Sequence, residues 1–149
     1  MSQMKTSITL FNVLRTLSSD LNFNLDFTMA GARNFREYPV WKESVAFATY
    51  VYEITSKMPW FEKKGLCDQL QRAAVSISSN IAEGSARTSD ADFAHFLDFA
   101  LGSAFEVETQ MTIAKNVGYM DEAHFQELIT KLSSIERQLN GLKNSIRKN

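Results

Sequence analysis

The residue types that perform chemistry are present in this chain, but their spacing brings no working set together. Glu83, Glu106 and Glu108 are the kind of side chain that holds metal ions inside helical bundles. Di-metal bundles also place a Glu and a His three residues apart, so that both ligands share one helix face, and no Glu-x-x-His pair occurs here. His95 and His124 are the only histidines, and neither has a Cys or second His at the short spacing of a zinc site. Cys67 is the sole cysteine and has no evident base beside it. No Gly-rich phosphate loop and no Gly-x-Ser-x-Gly elbow occurs, which leaves hydrolase and kinase chemistry without its parts. The expectation is a protein that is not an enzyme and carries no metal or cofactor.

Two other groups of polar side chains have a pattern. Gln69, Ser76, Asn80, Glu83 and Arg87 fall in one narrow sector at about 100° per residue if a helix runs through them. One reading is a solvated edge of i,i+3 and i,i+4 pairs. The other is a buried polar network that fixes helix register. Charge is also partitioned, residues 83–108 being acidic and 131–148 basic. Complementation between the two segments explains this most simply. The basic end, with Lys143, Arg147 and Lys148, joins Arg72 as the candidate contact for RNA or DNA phosphate. A net charge of −1 supplies no global attraction to polyanions, so such binding would have to be local.

The elements that position these residues are four helical segments. The first, about Val40 to Lys57, repeats Trp41, Val45, Ala48, Tyr52 and Thr55 by fours and threes, with Pro39 at its start and Pro59 beyond its end. The second, about Leu66 to Glu83, carries Leu66, Leu70, Ala73, Ile77 and Ile81, bracketed by the breakers Gly65 and Gly84. Ser89 caps the third, with Asp90 and Asp92 in its first turn. Its row Phe93, Leu97, Ala100, Ala104, Val107, Met111 and Ala114 runs to a stop at Gly118. Asp121 caps the fourth, whose row is Phe125, Leu128, Leu132, Ile135, Leu139, Leu142 and Ile146.

Such a seam and short connections predict an all-α, antiparallel up-down-up-down four-helix bundle with left-handed twist over residues 35–149. The third helix has more apolar surface than one bundle can cover. Phe96, Phe99, Leu101 and Phe105 lie outside its core row and widen the apolar arc to roughly 240°, where a surface helix needs about 100°. They are the candidate interface of a homo-oligomer. Phe99 and Phe105 flank the core row on opposite sides, as a heterologous contact closing into a ring requires.

Residues 1–34 are read as an N-terminal extension. Ile8 to Leu14, broken by Thr9 and Asn12, makes a poor signal peptide and is either part of a flexible or non-native extension or a short amphipathic arm that competes to cover the third helix. No apolar run approaches a membrane span, and with a lone cysteine the cytoplasm is the expected compartment.

The strings LQRAAVSISSNIAEGSAR (70–87) and LDFALGSAFEVETQMTIAKNVGY (97–119), with Val40-Trp41 and GLCDQL (65–70), resemble the bacterial four-helix bundle family first found in intervening sequences of 23S ribosomal RNA genes. The resemblance covers about Phe35 to Lys143. It implies an up-down bundle assembling as a ring, typically a pentamer, with no known enzyme activity. More distantly the chain resembles the basic bundle accessory proteins of diversity-generating retroelements, which bind nucleic acid and a reverse transcriptase. The polar positions matching the family are Arg72, Ser76, Asn80, Glu83, Arg87, Ser89, Ser103 and Glu108, which favours the structured network over the solvated edge. Ser78 stands where the family usually has Pro and Gln71 where it has a second Arg, so a kink in helix two and one basic contact are not implied here.

Overall fold

The computed structural model describes residues 33–147; the expectations for residues 1–32 and for Lys148 lie outside them. Within this range the chain is all-α, with four long helices: α1 (Pro39–Thr55), α2 (Leu66–Ser85), α3 (Asp90–Asn116) and α4 (Glu122–Arg147). Short 3-10 turns at Phe35–Glu37 and Trp60–Glu62 precede α1 and α2.

The helix ends have local causes. Pro39 opens α1, where its missing N–H costs nothing. Ser89 Oγ accepts the Asp92 N–H at 3.0 Å and donates to Asp92 Oδ2 at 2.7 Å, a cap contributing about 1 kcal/mol. Asp121 Oδ1 accepts the His124 N–H at 2.8 Å at the start of α4. Gly118 takes φ +82° after α3, a left-handed conformation that only glycine adopts without strain.

Each helix packs on its neighbour in sequence, and α1 also packs on α4, so the four enclose one core. Side-chain contacts give the register. Ser76 meets Ser103 and Gly84 meets Phe96 between α2 and α3; Asp98 meets Lys143 and Lys115 meets Glu122 between α3 and α4; Glu43 meets Ser134 and Tyr50 meets Glu127 between α1 and α4.

The core contains the entire seven-residue row of α3, together with Leu70, Ala73, Ile77 and Ile81 of α2 and Leu128, Leu132, Ile135, Leu139 and Ile146 of α4. Leu66, Phe125 and Leu142 close its margins.

Two expectations are corrected. The buried face of α1 is Val40, Ser44, Phe47, Ala48, Val51, Ile54 and Thr55: the expected Ala48 and Thr55 are buried, but the face is centred about one position earlier than expected. Val45 and Tyr52 are left exposed and Trp41 sits at the margin against Phe35. The row Val40, Ser44, Phe47, Val51 and Ile54 and the expected row are each apolar at four of five positions, with Ser44 in one and Thr55 in the other, and both step by four and three, so period alone does not choose between them. Burying Phe47 and Ile54 leaves no polar atom unpaired, whereas Trp41 and Tyr52 each carry one that prefers water. Gly84 does not end α2, which runs on to Ser85. A Cβ at Gly84 would lie 2.5 Å from Phe96 Cβ and 3.0 Å from Phe93 Cδ2, so the glycine marks a close approach of α2 and α3.

Candidate functional site

The α2–α3 seam carries most of the polar and apolar features that core packing does not use. Ser76 and Ser103 bond at 2.9 Å across it, and Ser103 also donates to Phe99 O at 3.1 Å. Asn80 Nδ2 donates to Ser76 O at 2.8 Å and to Ser76 Oγ at 3.0 Å. The serines can sit this deep because each hydroxyl finds a partner, without which burial would cost about 1–3 kcal/mol.

The rest of the expected network is elsewhere. Arg87 pairs with Glu83 at 2.9 Å on the surface, its guanidinium 4.5 Å from the centre of the Phe96 ring. Arg72 pairs with Asp68 at 2.9 Å, an exposed i,i+4 pair apart from the serines. Glu108 is exposed and lies beside Glu136 of α4. Burial, and then Glu108, push the Glu136 carboxyl above its usual range. One Glu136 oxygen is buried with no hydrogen-bond partner among the described residues.

Outside the hydroxyl cluster the seam opens into a shallow groove of 770 Å³ between Gln69, Arg72 and Ala73 of α2 and Gly102, Phe105, Thr109, Gln110 and Ile113 of α3. A second depression runs past Asn80, Asp98 and Phe99. Of the four extra apolar residues of α3, Leu101 is drawn partly into the core, and Phe96 is half-buried under Arg87 and against Gly84. Phe99 and Phe105 are 48% and 52% exposed, and Ile113 is 47% exposed. Gln110 Oε1 is buried in the groove wall without a hydrogen-bond partner among the described residues.

The basic end is tied down. Lys143 Nζ, on a side chain only 16% exposed, lies 2.7 Å from Asp98 Oδ1, and Arg147 lies 3.6 Å from the other oxygen. Complementation between the acidic and basic segments thus engages two of the four residues considered for phosphate, and Arg72 is held by Asp68.

Among the described residues no three His, Cys, Asp or Glu side chains converge on one point. Cys67 is buried 3.7 Å from Met58 Sδ and from Thr55 O, and burial raises its thiol pKa, so little thiolate forms. His95 is exposed against Phe99, and His124 Nδ1 sits 2.7 Å from Asp121 Oδ2.

Sequence reasoning missed three features. Gln71, in place of a basic residue, donates to Thr55 Oγ1 at 2.7 Å and ties α2 to α1. Glu43 Oε2 accepts from Ser134 at 3.2 Å and Gln138 at 2.6 Å, and Tyr50 donates to Glu127 at 2.7 Å beside a 350 Å³ slot between α1 and α4. Trp60 is 81% exposed. The first two link positions far apart in the chain, so no local pattern signals them; the third was legible as adjacent aromatics in a lysine-rich connection.

Comparison with known proteins gives the same architecture. A crystal structure of a protein of unknown function from the S23 ribosomal protein family, from Bacteroides thetaiotaomicron VPI-5482, aligns with TM-score 0.66 and 24% identity, covering 70% of this chain and 95% of that one. No curated protein matches the chain. No helix among the described residues is long and apolar enough to cross a membrane. The family model for 23S rRNA-intervening sequence proteins matches residues 36–141, which takes in the whole α2–α3 seam with its hydroxyl cluster and groove, and the chain belongs to that family.

Proposed function

We propose that this protein is a non-enzymatic, homo-oligomeric scaffold of the cytoplasm, built on an up-down-up-down bundle with left-handed twist and closed as a ring, five copies being the number the family resemblance implies. The observation that carries this is the pair Phe99 and Phe105, each about half exposed on a helix whose core row is already complete. Exposed rings on a rigid helix are a standard signature of an interface. Ile113 extends the patch, and the unpartnered Gln110 oxygen in the groove wall calls for a donor from outside the described residues. The exposed Val45 and Tyr52 of α1 offer a second apolar face. They follow Glu43 and Tyr50, which face α4, by two residues, or some 200° around the helix. Two different apolar faces on one subunit suit a heterologous contact, which closes into a ring.

Phe99→Glu and Phe105→Glu test the interface. Each replaces a solvent-exposed ring, so helicity by circular dichroism should be kept, while a buried unpaired carboxylate should dissociate the assembly. If both variants stay assembled, the α3 face is not the interface.

A further inference from the structure

We propose that the α1–α2 connection binds single-stranded nucleic acid, with a base stacked on Trp60 and phosphates held by Lys57, Lys63 and Lys64. The proposal does not depend on assembly, because one subunit carries the whole surface.

Residues 56–65 present two adjacent aromatics to solvent, Trp60 at 81% and Phe61 at 59% exposure. They do not stand on a slack loop. Glu62 N–H donates to Pro59 O at 2.9 Å and Gly65 N–H to Glu62 O at 2.9 Å, closing the turn. The Glu62 side chain then accepts the Leu66 N–H at 3.1 Å at the start of α2. Phe61 packs edge-on against Tyr119 of the α3–α4 connection at 6.0 Å, and Trp60 against Phe61 at 6.1 Å. The indole is therefore positioned and still open. Presenting a ring in this way lowers the ordering cost of stacking on it.

The charge beside the rings selects the occupant. Lys57, Lys63 and Lys64 are exposed and enter no ion pair among the described residues, in contrast to Arg72, Lys115, Lys131, Lys143 and Arg147. The nearby acids are mostly engaged: Glu62 on the Leu66 amide, Glu122 with Lys115 at 2.6 Å and Asp121 with His124, leaving Glu53 one turn back in α1. Free cations flanking an open aromatic match a polyanion whose bases expose flat π-faces, which a duplex does not offer. A membrane surface fits less well. Inserting Trp60 would carry Glu62, its carboxylate fixed at the root of α2, toward hydrocarbon.

The test is titration of the intact protein with a fluorescently labelled single-stranded oligothymidine, followed by anisotropy and by quenching of tryptophan emission. Binding should favour the single strand over a duplex of equal length. With three lysine–phosphate contacts it should weaken about 20-fold between roughly 50 and 200 mM salt, a log–log slope near −2. Trp60→Ala should weaken binding about five- to 160-fold at unchanged slope, whereas Trp60→Phe should keep most of it. Lys63→Gln with Lys64→Gln should flatten the slope to about −0.7. All these positions are exposed, and circular dichroism would verify that the variants fold. The proposal is overturned if Trp60→Ala binds as the wild type does, if duplex or polyglutamate competes equally, or if the emission responds to phosphatidylserine vesicles and not to the oligonucleotide.

Discussion

Replacing Gly84 by alanine sets two effects of opposite sign against each other, and the geometry decides between them. Gly84 lies in the last turn of α2, where glycine costs at most about 1 kcal/mol relative to alanine, so propensity alone makes Gly84→Ala mildly stabilising. The new methyl would sit 2.5 Å from Phe96 Cβ, well inside the roughly 3.5–4.0 Å of an ordinary carbon contact. A rotamer change gives no escape, because a Cβ is fixed to its backbone. Relief requires α2 and α3 to move apart by about 1 Å, and that loosens the core between them, which includes Ile81, Phe93 and Leu97. Overpacking of one methyl group costs about 1–3 kcal/mol, and with both Cβ atoms fixed the upper end applies. The expected net is a loss of about 2 kcal/mol. Gly141→Ala in α4, where a Cβ meets nothing within 4 Å, is the control and should gain up to about 1 kcal/mol. Urea unfolding of both variants measures the difference. A Gly84→Ala protein as stable as the wild type, or more so, would refute the close approach of α2 to α3.

Asp98→Ala should cost about 1–3 kcal/mol in urea unfolding, since it strands the largely buried Lys143 ammonium, whereas Asp68→Ala, breaking an exposed pair with Arg72, should stay within about 0.5 kcal/mol. Equal effects would mean that Lys143 is no better shielded than Arg72. Glu136 provides a pH signature. Its pKa is raised in the folded state by burial and then by Glu108, so its contribution is fully present below the unfolded value of about 4.5 and is lost as pH rises through the raised value. Glu136→Gln should therefore gain on the wild type as pH climbs from acid to neutral, opposite in sign to Glu127, whose carboxylate is lowered chiefly by the Tyr50 hydrogen bond. A pH-independent difference between variant and wild-type unfolding midpoints would show that the Glu136 environment is misread.

How much was legible in the sequence depended on whether local pattern or volume decides. Helix α3 was read nearly to the residue, because Ser89, a seven-member apolar row and Gly118 specify start, face and stop independently. The face of α1 was centred one position late, with Ala48 and Thr55 rightly placed and Trp41, Val45 and Tyr52 not, because two mainly apolar rows compete, and the choice falls to ring volume and polar atoms against neighbours that are far off in sequence. Gly84 was read as a breaker because glycine signals both a stop and a close approach, and only Phe96 across the seam distinguishes them. For the polar stripe, the i,i+4 link from Asn80 to Ser76 was visible, but its extension to Ser103 and the departure of Glu108 toward Glu136 depend on how the helices are rotated. The excess apolar arc of α3 was visible from composition, whereas its division into absorbed Leu101, half-covered Phe96 and exposed Phe99 and Phe105 required the packing.

The central claim is self-association through α3, and the mass of the intact wild-type protein in solution tests it most directly. Size-exclusion chromatography with light scattering at micromolar concentration should give one species at a whole multiple of 16.9 kDa, five copies for the pentameric ring. A single peak at 16.9 kDa would contradict the account, leaving Phe99 and Phe105 exposed for some purpose other than self-association.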